Sequence, residues 1–89
     1  MKEFGVYILR SLKNNTYYIG STEDISKRLV QHNAGAQSYT RKLIPFVLER
    51  FILCKSFEEA RHSEYKLKKY KRKDIVNKVI ADGVFPWNY

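Results

Sequence analysis

One glutamate stands where an apolar residue would be expected. At 100° per residue, Phe57, Ala60, Glu64 and Leu67 fall within about 80° of one another on a helix. They form its apolar stripe. A carboxylate in such a stripe is costly unless a cation or donor meets it. Glu64 is therefore either an edge residue paired with a Lys or Arg, or a metal-binding or catalytic carboxylate. Arg28 and His32 pose the same choice one helix earlier. Arg28 lies about 60° from Ile25 and about 40° from His32, beside the apolar face. One turn apart, Arg28 and His32 can point at a common spot, as an anionic phosphate would require. The alternative is an Arg with a packed stem and a His serving the helix C-terminus.

Seven tyrosines and one basic run complete the reactive inventory. Tyr7 and Tyr18 fall on the two strands of a predicted hairpin. Asn14-Asn15 as its turn places Tyr7 opposite the neighbourhood of Thr22 and Tyr18 opposite Ser11. Gly5 and Gly20, inside strand patterns, mark a bulge or a close approach by another group. In Lys66-Leu67-Lys68-Lys69-Tyr70-Lys71-Arg72-Lys73, six of eight residues are cationic. Lys66, Lys69 and Lys73 share one helical face beside Tyr70, an arrangement suited to phosphates. A merely solvated charged face is the other reading.

These residues need elements to hold them. Phe4 to Leu12 reads as a buried strand, and Tyr17 to Ser21 as its return. Thr22-Glu23-Asp24 opens a helix capped by Thr22 or Ser21, with acids at the positive end of its dipole. Asn33-Ala34-Gly35-Ala36 ends it, and a polar loop follows to Arg41. Pro45 to Leu53 gives a third strand. Ser56-Phe57-Glu58-Glu59 is a capping box that starts a second helix, running to about Lys68. Asp74 to Ala81 is a last helix, stopped by Gly83. The apolar tail from Val84 packs back on the domain. The order is β-β-α-β-α-α. It implies an α+β fold (a mixed α/β sandwich) with a small three-stranded, mainly antiparallel sheet flanked by helices.

Composition narrows the function. Eighty-nine residues make one domain, 1–89. A net charge of +8 favours a polyanionic partner, nucleic acid before an anionic membrane. A single cysteine, Cys54, excludes an internal disulfide and a cysteine-based zinc site, and a reducing cytoplasmic location fits better than a secreted one. No apolar run approaches the ~20 residues of a membrane span, and no signal-peptide core is visible. Cys54 is read as a small buried hydrophobe. His62 points away from Glu64 around the helix and receives no role.

The order and spacing of the reactive residues resemble one family. Gly5-Val6-Tyr7, then ten residues, then Tyr18-Ile19-Gly20, resembles the name-giving motif of the GIY-YIG nuclease superfamily. A helix with Arg28 and His32 follows, then a later helix with Glu64. The resemblance spans residues 4 to about 73. It extends to small stand-alone bacterial members and to the catalytic N-terminal domain of the nucleotide-excision-repair endonuclease. It implies that Tyr7, Tyr18, Arg28, His32 and Glu64 form one catalytic site. Glu64 would hold one divalent cation, Mg²⁺ or Mn²⁺, with waters completing its shell. Arg28 would neutralise phosphate oxygens, and Tyr7 would orient or deprotonate the attacking water with help from Tyr18 and His32. Two features depart from the family pattern. The late Asn that many members carry has Asn77 as its nearest counterpart here. Ser21 stands where the repair enzyme has a Lys.

The resulting expectation is a metal-dependent endonuclease that hydrolyses DNA phosphodiesters, structure-selective in repair or recombination. Its nucleic-acid contacts would come from Lys66, Lys68, Lys69, Lys71, Arg72 and Lys73. RNA as substrate and the oligomeric state stay open. With no separate DNA-targeting domain expected, sequence specificity would be low or supplied by a protein partner. Two rivals remain: a non-catalytic nucleic-acid-binding module of the same fold, and a protein-interaction domain that uses the apolar tail.

Overall fold

A strand with apolar or aromatic residues on both sides must be covered on both sides, and the fold is organised by that need. The computed structural model describes residues 2–70 and 72–88. Strand β1 (Gly5–Ser11) is central, with β2 (Tyr17–Thr22) and β3 (Phe46–Leu53) antiparallel on either side. Helix α1 (Ile25–Asn33) lies between β2 and β3 in the chain, and α2 (Phe57–Tyr70) and α3 (Lys73–Asp82) follow. The expected α+β fold and the order β-β-α-β-α-α are what the chain adopts. Among the described residues, no helix is long and apolar enough to cross a membrane.

Alternation along β1 separates two clusters. Val6 and Ile8 face a core with Ile52, Ala60, Leu67, Val76, Val79 and Phe85. Tyr7 and Leu9 face the other side with Phe46, Tyr18, Ile25 and Leu29. A register irregularity between Ile8 and Leu9 lets Phe46 and Phe51 serve the same face of β3. Without it, the period of two would send them to opposite faces.

The hairpin register differs from expectation. Tyr7 pairs with Gly20 and Tyr18 with Leu9, rather than with Thr22 and Ser11. The turn is longer than Asn14-Asn15 alone. Ser11 N–H donates to Thr16 O across 2.9 Å, and Asn15 N–H returns to Ser11 O across 2.8 Å. The Ser11 hydroxyl also accepts from the amides of Lys13 and Asn14, at 3.1 and 3.3 Å. Asn15 takes the positive φ of 61° that such a loop needs.

The helix ends follow local chemistry. Asp24, not Thr22 or Ser21, caps α1, accepting from Lys27 N–H at 3.1 Å. Thr22 is still paired with Gly5 in the sheet, so the cap falls to the first free acceptor. Ser56 Oγ accepts from Glu59 N–H at 3.1 Å at the start of α2. Gly83 stops α3 in the left-handed region, φ 73°. Phe85 is buried and stacks on Trp87 at 4.8 Å, so this part of the tail packs back on the domain as expected.

Candidate active site

Tyr7 lies at the middle of β1, and only a glycine opposite leaves room for its hydroxyl. A Cβ built on Gly20 would collide with Tyr7 Oη. Gly5 makes the same allowance for the Phe51 ring. The two motif glycines are thus close-approach positions. Tyr7 and Tyr18 lie diagonally on one face, with ring centroids 6.4 Å apart.

Helix α1 lays His32 and Arg28 over these rings. His32 is fully buried, edge-on to Tyr18 at 5.0 Å and to Tyr7 at 5.7 Å. Its Nε2 meets Tyr7 Oη at 3.0 Å. Arg28 Nε donates to the same Oη across 3.2 Å. The partners assign the protons. With Arg28 donating to Oη, the Tyr7 proton has His32 Nε2 as its acceptor. That leaves only Nδ1 of His32 without a partner. The reverse tautomer would orphan the Tyr7 proton as well, and each buried orphan costs roughly 1–3 kcal/mol. The chain therefore runs Arg28 to Tyr7 to His32, and it ends on a neutral imidazole.

The protonation states agree with this direction. Burial pushes the Tyr7 phenol above its ordinary value, only partly offset by the hydrogen bond and charge of Arg28. Burial also lowers His32, and the Arg28 charge lowers it further. Tyr18 is raised by burial and by its hydrogen bond with Tyr39. At neutral pH both tyrosines keep their protons and His32 is uncharged.

Glu64 reaches the same place from the opposite layer. Its helix packs on the other face of the sheet, and its carboxylate stands at the β2 edge. Ser21 Oγ donates to Glu64 Oε1 across 2.6 Å, and Lys68 Nζ meets Oε2 at 2.6 Å. The Glu64 and Lys68 charges both act on the Tyr7 hydroxyl, with opposite signs. The structure thus brings Tyr7, Tyr18, Arg28 and His32 into direct contact and sets Glu64 within electrostatic reach. The lysine pairing foreseen as the bland reading of Glu64 is also present.

Four further residues support the cluster. Gln31 accepts from Arg28 Nη1 at 3.2 Å. Gln37, with its amide oxygen turned to the guanidinium, accepts from Arg28 Nη1 at 3.2 Å. Tyr39 holds the Tyr18 hydroxyl, and Ser21 holds Glu64. Gln31 could have been found from its i+3 spacing to Arg28. Gln37 and Tyr39 come from an irregular loop whose path no periodicity encodes.

Among the described residues, no three of His, Cys, Asp and Glu gather into a metal-binding group. A hard cation that keeps most of its waters needs only one or two carboxylates. Glu64 and Ser21 offer an oxygen-only donor set, and the Lys68 ammonium already occupies a cation position at the carboxylate. That pair is partly exposed, so Lys68 is cheaply displaced. These residues fit a hydrated Mg²⁺ or Mn²⁺.

The basic run does not form the single face expected. Helix α2 ends at Tyr70 and Lys73 begins α3, so Lys73 parts from Lys66 and Lys69. Lys66 lies over Trp87 at 4.5 Å and Lys69 over Tyr65 at 5.4 Å. Lys68, Arg72 and Lys73 instead border one groove along β2. Arg72 is held by Asp74 at 2.7 Å. Lys71 lies outside the described residues. Asn77 stands on the face away from Tyr7, where it accepts from Tyr17 Oη at 2.5 Å.

The sequence matches known proteins over most of its length. Residues 3–78 match the family described as the GIY-YIG catalytic domain. A UPF0213 protein of Halobacterium salinarum is 37% identical over 68 residues, covering 75% of this chain and 87% of its own. A UPF0213 protein of Clostridium perfringens is 33% identical over 85 residues, covering 94% and 90%. One from Staphylococcus haemolyticus is 36% identical over 73 residues, covering 81% and 88%. No solved structure matches the chain significantly.

Proposed function

The chain belongs to the GIY-YIG catalytic-domain family, a family of nuclease domains, and from that premise we propose that it is a divalent-metal-dependent endonuclease acting on DNA phosphodiesters. Residues 1–89 are read as one such domain. The observation that carries the proposal is the tyrosine hydroxyl held between a guanidinium donor and a neutral imidazole acceptor, with a carboxylate close by.

Each group has a task that its surroundings suit. Glu64, with Ser21 beside it, would hold Mg²⁺ or Mn²⁺. Once bound, the cation would neutralise charge developing on the phosphate and on the leaving oxygen. Arg28, braced by Gln31 and Gln37, stabilises the non-bridging oxygens. Tyr7 does not act as a resting phenolate, because burial keeps it protonated. It serves as a relay: its oxygen takes a proton from the attacking water while its own proton passes to His32 Nε2. His32 is ready for that transfer because it is uncharged at neutral pH. Tyr18, fixed by Tyr39, forms a wall of the site and orients His32.

The nucleic-acid contacts are assigned to two sets of cations. Lys68, Arg72 and Lys73 adjoin the site through Tyr18 and take the backbone nearest the scissile bond. Lys66 and Lys69 lie farther round α2 and provide general attraction. Lys71 is kept in this surface on sequence alone. A role in repair or recombination, a specificity-supplying protein partner and a cytoplasmic location remain part of the proposal.

The test is cleavage of a labelled DNA panel (supercoiled, nicked, flap, branched and single-stranded) with Mg²⁺ or Mn²⁺. Wild type should cut only with metal, and Glu64→Gln should not cut. Salt-sensitive binding by both proteins without any cutting would refute the nuclease and leave a binding module.

A further inference from the structure

A groove beside the candidate site is left unused by the reaction described above. Its volume is about 390 Å³, and it runs between β2, the end of α2 and the start of α3. Ile19, Leu67 and Val76 give it an apolar floor, and the Tyr17 ring forms one side. Its rim carries Lys68, Arg72 and Lys73, the first paired with Glu64 and the second with Asp74 in partly exposed pairs that an arriving phosphate can displace. Tyr18 and Lys68 belong to both groove and site, so the two are continuous.

The Tyr17 wall is rigid. Its hydroxyl is tied to Asn77 at 2.5 Å, from the helix across the groove. The Lys73 ammonium stands 5.7 Å from the ring centroid, as a cation over an aromatic face. Lys73 is exposed and free to shift towards an arriving phosphate.

The two halves of this groove suit different parts of one ligand. The cations attract phosphates. An apolar floor and an aromatic wall do nothing for a phosphate but match the flat face of a base. In a continuous duplex those faces are stacked, and the protein meets only backbone and base edges. A strand offers both parts at once only where its bases are unpaired.

We propose that this groove takes an unpaired nucleotide of the substrate strand, next to the scissile phosphate, so that the preferred substrate is single-stranded or flap-bearing DNA rather than continuous duplex. The scissile phosphate in this statement rests on the nuclease reading; binding in the groove does not.

The test uses Glu64→Gln protein, which binds without cutting, and oligonucleotides carrying 2-aminopurine at successive positions. The same sequence is offered as single strand, flap and full duplex. Single strand and flap should bind about tenfold more tightly than duplex, with the fluorescence change confined to one or two adjacent positions. Thr16→Trp, at the groove mouth, should remove about tenfold of the single-strand affinity and spare the duplex. Tyr17→Leu, which removes the aromatic wall, should do the same if the tryptophan disturbs the hairpin turn. Equal affinity for single strand and duplex, or variants that weaken both alike or neither, would overturn the groove. Metal-dependent cutting by wild type that ignores Thr16→Trp would also refute the groove and keep the nuclease. Selective single-strand binding by a wild type that never cuts would refute the nuclease and keep the groove.

Discussion

The two faces of strand β1 are equally buried and differently built. On one, Val6 and Ile8 meet Leu67, Val79 and Phe85, and hydrocarbon fills the space. On the other, Tyr7 and Leu9 meet His32, which is fully buried, with Arg28 and Tyr18 alongside. Burial on the first face buys stability through apolar area. On the second it costs desolvation, met by one connected chain of hydrogen bonds that leaves a single ring nitrogen, Nδ1 of His32, without a partner. Alternation in a single strand thus separates the part of the molecule that keeps it folded from the part shaped for chemistry.

The sharpest way to break this comparison is to exchange the kinds of damage. Phe85→Ala on the hydrocarbon face, away from the groove, should cost about 3–5 kcal/mol of stability. Any protein still folded should retain its rate per folded molecule. Denaturant melts combined with cleavage rates check both halves. Arg28→Ala should do the opposite. It should lower kcat about 10²- to 10³-fold with little change in melting temperature. A large stability loss in that variant would mean that the guanidinium is a structural prop.

A pH series sharpens the difference further. His32 has a lowered pKa in the folded chain, against about 6.5 when unfolded. As pH falls below about 6.5, the unfolded state binds the proton first, so stability declines on the acid side and is complete above it. The rate per folded molecule should hold over that range and fall only at lower pH, where the folded imidazole itself takes the proton and no longer accepts. His32→Phe should remove the acid-side slope in stability attributable to this group, as measured by melts between pH 4 and 8. The smallest effect is expected at Lys68. Lys68→Met frees Glu64 of its internal cation and should tighten Mn²⁺ binding by up to about fivefold, read by electron paramagnetic resonance.

Much of this architecture was legible in the sequence, for reasons that are local. The Ser56 cap, the Gly83 stop and the apolar periods of the helices depend on a few neighbouring residues. The grouping of Tyr7, Tyr18, Arg28 and His32 was legible only through the resemblance to the GIY-YIG motif, because helical and strand periodicity leave each of these residues an ordinary packing role as well. The hairpin register was not, because the Ser11 hydroxyl and the loop it organises set the turn length. The break in the basic run was not legible either, since Lys66 to Lys73 carries no Gly or Pro to mark it. Gln37, Tyr39 and Ser21 enter the cluster only through tertiary packing. Asn77 belongs to the groove at Tyr17 rather than to the Tyr7 cluster, a placement that spacing alone does not encode.

The proposed proton relay depends on one oxygen atom, Tyr7 Oη. Tyr7→Phe removes that oxygen and leaves the ring that fills the space beside Gly20. The measurement is the single-turnover cleavage rate of this variant in Mg²⁺, with melting temperatures taken in parallel. The relay predicts a rate lower by about 10²- to 10⁴-fold in a protein that melts close to wild type. A wild-type rate would contradict it and leave Tyr7 as a packing residue.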